Sequence, residues 1–169
     1  MRRVLDGLYD AAGYAAALFL VATLVLVVVG IAGRQLNFYL PGHDNIAGYC
    51  MAGAGFLALA HTLKKGEHIR VELLLQKLGQ RGRKGIELWA LGAATLVAFM
   101  LAFFSVRLAA RSYLFEERST NLDAAPLWLP QLAMVAGTIL LFVAVLDELV
   151  LEIRGRRVRR ASDEPLHNE

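Results

Sequence analysis

The sequence predicts an all-α integral membrane protein with four transmembrane helices, a cytoplasmic interfacial amphipathic helix between the second and third spans, and both termini cytoplasmic. Three observations carry that prediction. The chain is 57% hydrophobic with a mean hydropathy of +0.48, far above soluble proteins of similar length. Four stretches free of Asp, Glu, Lys and Arg, residues 11–33, 45–63, 88–106 and 124–146, are long enough to cross a bilayer. The basic residues alternate between many and few from one inter-span segment to the next.

The whole chain, residues 1–169, is expected to form a single membrane domain. At 1.5 Å rise per residue even the shorter stretches make helices of about 28 Å, close to the hydrocarbon thickness. Hydrocarbon offers the backbone no partner, so the spanning segments must be helices. The opening "MRR" before an apolar run resembles a signal peptide, but the run exceeds a signal core and lacks an obvious small-residue cleavage site. It is expected to stay as the first span.

Lys and Arg number two before the first span, one between the first and second, seven between the second and third, three between the third and fourth, and five after the fourth. The positive-inside rule then places the termini and the middle connection in the cytoplasm. Tyr9, Tyr14 and Trp89 fall at the inner boundary, and Phe38, Tyr39, Tyr113, Phe115 and Trp128 at the outer one, as aromatic belts. A bacterial inner membrane with cytoplasmic termini is the expected location. The net charge of +3 does not point to nucleic acid, because the basic residues flank apolar runs and line no soluble face.

The middle connection, "KKGEHIRVELLLQKLGQRGRKG", is unusually basic. Val71, Leu74, Leu75 and Leu78 recur at i, i+3, i+4 and i+7, while Arg70, Lys77, Arg81 and Lys84 form a second face. A helix over 68–80 with these faces is expected to lie on the cytoplasmic surface, basic groups near phospholipid phosphates. Gly79, Gly82 and Gly85 are expected to loosen the chain before the third span. The alternative is a solvated basic loop that only sets topology. Neither reading is catalytic. The basic tail, residues 152–169, is cytoplasmic on the same argument.

The span interiors contain little chemistry. Thr23, Thr95, Ser105 and Thr138, with Gln131 near one end, are the polar residues, and no carboxylate or base lies at a span centre. Hydroxyls on such helices more often satisfy a neighbouring carbonyl than bind solute, so a pore or pump acting alone is not expected. Cys50 is the single cysteine, which excludes an internal disulfide. Of His43, His61, His68 and His167, only His61 is expected within the membrane, so no facing pair is available for haem. A structural hydrogen bond is the expected role of His61. No catalytic, cofactor, metal or substrate residue is assigned.

The spans do offer packing surface. Gly48, Ala52 and Gly55 fall at i, i+4 and i+7 in the second span, with Ala47, Ala54 and Ala58 as a second small stripe. Ala133 and Gly137 are four apart in the fourth. Small residues let helix backbones approach closely, either within this chain or against a partner.

Residues 56–75, "FLALAHTLKKGEHIRVELLL", run from the second span through Gly66, His68, Ile69, Arg70 and Val71 into the surface helix. With "PLWLPQLAMVAG" at 126–137 and Arg34 after the first span, this pattern resembles the small membrane subunit (DctQ-like) of tripartite ATP-independent periplasmic (TRAP) transporters, over residues 5–154. The resemblance implies a non-catalytic subunit with two protein partners. One is a periplasmic substrate-binding protein that captures a carboxylate-bearing solute. The other is a large membrane subunit that imports the solute by an elevator-like movement coupled to sodium. This chain would extend the stationary scaffold of the large subunit, with no cofactor of its own. Many relatives carry an acidic pair at the start of the second span, whereas "GHDNIAG" has Asp44 followed by Asn45. Arg34 and Asp44 are the candidate outer-face contacts. Two rival readings remain, a membrane anchor for a redox enzyme and a self-associating helix bundle.

Overall fold

In the computed structural model, which describes residues 2–38, 41–65, 80–120 and 124–154, the chain forms four helices. They are α1 (Arg2–Gln35), α2 (His43–Lys65), α3 (Gln80–Leu114) and α4 (Trp128–Ile153). All four are long and apolar enough to cross a membrane. Among the described residues the only β-type pairing is an isolated bridge, Arg118 to Pro126.

Helix boundaries depart from the charge-free windows because a helix continues wherever its backbone ladder can be completed, charged or not. At 34 and 35 residues, α1 and α3 are about 50 Å long and exceed the thickness of a hydrocarbon layer. Gly82 and Gly85, expected to loosen the chain, lie inside α3, as do Arg81 and Lys84, whose spacing suggests the polar face of a surface helix. Glycine lowers helix propensity by about 1 kcal/mol relative to alanine, too little to end a helix of this length. The rest of the predicted interfacial helix, with Gly66, His68, Ile69, Arg70, Val71, Leu74, Leu75, Lys77 and Leu78, lies outside the described residues. At the fourth span the predicted start is four residues early. Ala124 has φ 43°, and the helix begins at Trp128.

The turns at one end of the molecule share a device. After α1, the Phe38 N–H donates to the Gly33 carbonyl (2.8 Å) while Asn37 adopts φ 55°. After α3, the Glu117 N–H donates to the Ser112 carbonyl (3.0 Å) while Glu116 adopts φ 49°. Both are Schellman-type ends, in which one left-handed residue reverses the chain and satisfies orphan carbonyls. Between α3 and α4 the Ser119 N–H donates to Ala125 O (2.8 Å) and the Leu127 N–H to Glu117 O (3.0 Å), fastening the loop across itself. Pro130 falls in the first turn of α4, where a missing N–H breaks no intrahelical bond.

The helices form an open row in the order α1, α2, α4, α3. The contacts that hold it are built from small side chains. Ala12 and Ala16 of α1, Ala47, Ala54 and Ala60 of α2, Ala98, Ala102 and Ala109 of α3, and Ala144 of α4 are all buried. Small residues at these positions bring the helix axes close, the main source of helix adhesion in lipid. Larger apolar side chains such as Leu18, Leu24, Val97 and Phe104 are exposed, as a lipid-facing surface requires.

Candidate partner-facing surface

The α1–α2 and α2–α4 contacts use one half of the α2 circumference. Toward α1, the His61 imidazole seats on Gly13, where an added Cβ would come within 2.8 Å of Nδ1. Nδ1 lies 3.1 Å from the Tyr9 carbonyl and 3.6 Å from Asp10 Oδ1. A carbonyl only accepts, so the hydrogen bond to Tyr9 requires the proton on Nδ1. Tyr9 is itself buried, in a cluster with Ala60 and Ala144 that Leu5, Leu63 and Leu140 surround. At the other end of the same contact His43 seats on Gly30, leaving no room there for a Cβ.

Toward α4, Gly53 meets Ala133, whose Cβ would stand 3.3 Å from a Cβ at position 53. Gly137 lies against the Phe56 backbone, with the carbonyl carbon 2.5 Å from a Cβ built at position 137. Ala133 and Gly137 therefore pack inside this chain. Gly13, Gly30 and Gly53 were not singled out by sequence reasoning. Their signal exists only once helix register is known, because each glycine is paired with a bulky or close neighbour on another helix.

Gly48, Ala52 and Gly55 lie on the opposite half of α2. All three are exposed, and nothing lies within 4 Å of a Cβ added at Gly48 or Gly55. Met51, two-thirds exposed, borders them. The chain thus carries a smooth strip along a central helix that none of its own described residues covers.

The three threonines of the spans bond back to their own helices, whereas Gln131 Oε1 near the start of α4 is buried without a hydrogen-bond partner among the described residues. Thr23 Oγ1 donates to Phe19 O (2.8 Å), Thr95 Oγ1 to Leu91 O (2.7 Å) and Thr138 Oγ1 to Val135 O (3.1 Å). Among the described residues no three His, Cys, Asp or Glu side chains converge as a metal site. Arg34 and Asp44 pair with each other at 3.3 Å, and Asp44 also meets His43 Nε2 at 3.1 Å. Asp44 sits in the first turn of α2, where the helix dipole favours a negative charge.

The family model described as "Tripartite ATP-independent periplasmic transporters, DctQ component" matches residues 23–155, well over half of the chain. The chain belongs to the DctQ family. No curated protein matches it. The matched segment includes all of α2, α3 and α4 and the last third or so of α1, from residue 23 onward. For a DctQ chain, a membrane-spanning component of a transporter, the open strip on α2 is the feature that intramolecular packing leaves unused.

Proposed function

We propose that this DctQ chain is a non-catalytic scaffold subunit that docks on the large membrane subunit of a TRAP transporter and holds its stationary part in place. The observation that carries this reading is the division of labour on α2, where one half of the helix is filled by α1 and α4 and the other is small, apolar and open. The self-satisfied threonine hydroxyls support the same reading, since a chain that moved solute alone needs free polar groups at mid-membrane depth. In this reading both termini and the 66–79 connection are cytoplasmic, with the basic connection on phospholipid phosphates of a bacterial inner membrane. A periplasmic binding protein supplies a carboxylate solute, and the large subunit couples its import to sodium.

The test is reconstitution in vesicles of this chain alone, of the large subunit alone, and of both together, with the binding protein outside. Sodium-driven uptake is expected only where the large subunit is present, and at its full rate only with both. Uptake by vesicles holding this chain alone would falsify the proposal.

A further inference from the structure

The outer edge of the helix row suggests a lipid site. Helix α3 is terminal in the row, and its buried Ala98, Ala102, Ser105, Ala109 and Ser112 mark the side that meets α4. Directly across the helix, at successive steps of four or three residues, lie Leu96, Met100, Phe103, Arg107, Arg111 and Leu114, all exposed. The apolar part of this stripe is bulky, unlike the glycine and alanine strip on α2. Bulky flexible side chains suit acyl chains, whereas small ones suit another helix backbone.

The stripe changes character where the charge-free window ends. Val106 is its last residue, so the Arg107 Cα stands about 1.5 Å and the Arg111 Cα about 7.5 Å beyond it along the axis. That is the depth of the headgroup layer, which adds about 5–7.5 Å on each side of the hydrocarbon. Arg107 makes no ion pair or side-chain hydrogen bond among the described residues. Arg111 Nε lies 3.9 Å from Glu117 Oε1, and its guanidinium stands 5.9 Å from the Phe115 ring centroid. Glu117 in turn accepts a hydrogen bond from Ser112 Oγ at 2.8 Å. One carboxylate at that distance leaves the arginine pair with net positive charge.

We infer that this edge of α3 binds an anionic phospholipid, with an acyl chain along Leu96, Met100 and Phe103 and the headgroup phosphate held between Arg107 and Arg111. Guanidinium groups one helical turn apart present several N–H donors to the phosphate oxygens. A lipid whose headgroup carries an ammonium gains less, because that cation opposes the arginines. The site lies at the Leu114 end of α3, apart from the basic 66–79 connection at the other end.

The full chain carrying Cys50→Ser and Ala110→Cys, labelled with a fluorophore at the new cysteine, is placed in nanodiscs doped with spin-labelled phosphatidylglycerol or phosphatidylcholine. Ala110 is exposed beside the arginine pair. Half-maximal quenching is expected at a mole fraction of phosphatidylglycerol about fivefold lower than of phosphatidylcholine. Arg107→Gln with Arg111→Gln is expected to abolish the preference, and Arg107→Lys with Arg111→Lys to retain most of it. Equal quenching by the two lipids in the parent chain overturns the proposal, and so does a preference that survives the glutamine pair. Replacing chloride by inorganic phosphate at constant ionic strength is expected to leave the preference unchanged. Its loss there would identify a soluble-anion site instead. The membrane face need not be known for any of these outcomes.

Discussion

Gly137 of α4 lies against the main-chain carbonyl of Phe56 in α2, so close that no side chain fits between the two helices. The obstacle is backbone, which cannot rotate away as a side-chain tip can. Gly137→Ala should therefore destabilise the purified chain by about 1–3 kcal/mol, the usual range for overpacking. Gly55→Ala meets nothing within 4 Å and should be neutral or mildly stabilising, since alanine favours a helix by up to about 1 kcal/mol over glycine. Thermal unfolding in detergent separates the two. Equal losses would contradict the assigned packing.

The open strip makes a prediction of the opposite kind. Gly48→Leu with Gly55→Leu should not lower the melting temperature of the isolated chain, because neither position is covered and leucine favours a helix over glycine. Capture of the co-expressed large subunit should fall on the order of tenfold, about 1.4 kcal/mol of lost association. Unchanged capture would move the docking surface to another face.

His61 and Gly13 form a coupled pair across α1 and α2. His61→Ala removes a hydrogen bond worth about 1 kcal/mol, and Gly13→Ala pushes a methyl into the imidazole. Made together, the second change costs little, since the ring it would strike is gone. A double-mutant cycle on thermal or denaturant stability should show a coupling of about 0.5–3 kcal/mol. Strict additivity would mean the ring does not occupy that slot.

The two Schellman turns differ in what occupies the left-handed position. Asn37 tolerates that conformation, whereas Glu116 has its Cβ crowded against the backbone. Glu116→Gly should stabilise the chain by about 1 kcal/mol, and Asn37→Gly by less. A loss of stability at Glu116→Gly would show that the side chain contributes more at the loop surface than the backbone strain it carries.

The Arg34–Asp44 pair is mostly exposed, each side chain at 69%. Exposed pairs of this kind contribute between zero and about 1 kcal/mol. Asp44→Asn should change stability by less than that, with the difference shrinking further at high salt. A larger effect would point to the Asp44–His43 contact within α2, which orients the imidazole that seats on Gly30 of α1.

Much of the architecture was legible from composition. Charge-free runs of about twenty residues locate helices, because lipid imposes that requirement on any span. The threonines are legible too, since a threonine has a carbonyl one turn back within reach wherever the helix goes. Helix ends were less legible. The charge-free window opens at Ala124 but the helix begins at Trp128, and Gly82 and Gly85 suggest a loose connection where α3 has already begun at Gln80. Hydropathy records what lipid tolerates, while a helix ends where turn geometry and capping bonds end it.

By itself, the sequence determined that the chain is a four-helix membrane component and supplied small residues on α2 and α4 from which contacts could be made. Only the tertiary structure decided how those residues divide. Ala133 and Gly137 close onto α2, while Gly48, Ala52 and Gly55 remain open. Two stripes with the same spacing are equivalent in sequence, because spacing defines a face but not its direction. The direction is set by the rotation of each helix, which is fixed when His61 meets Gly13 on one side and Phe56 meets Gly137 on the other. Once both contacts form, α2 has no freedom left to turn its glycine strip inward.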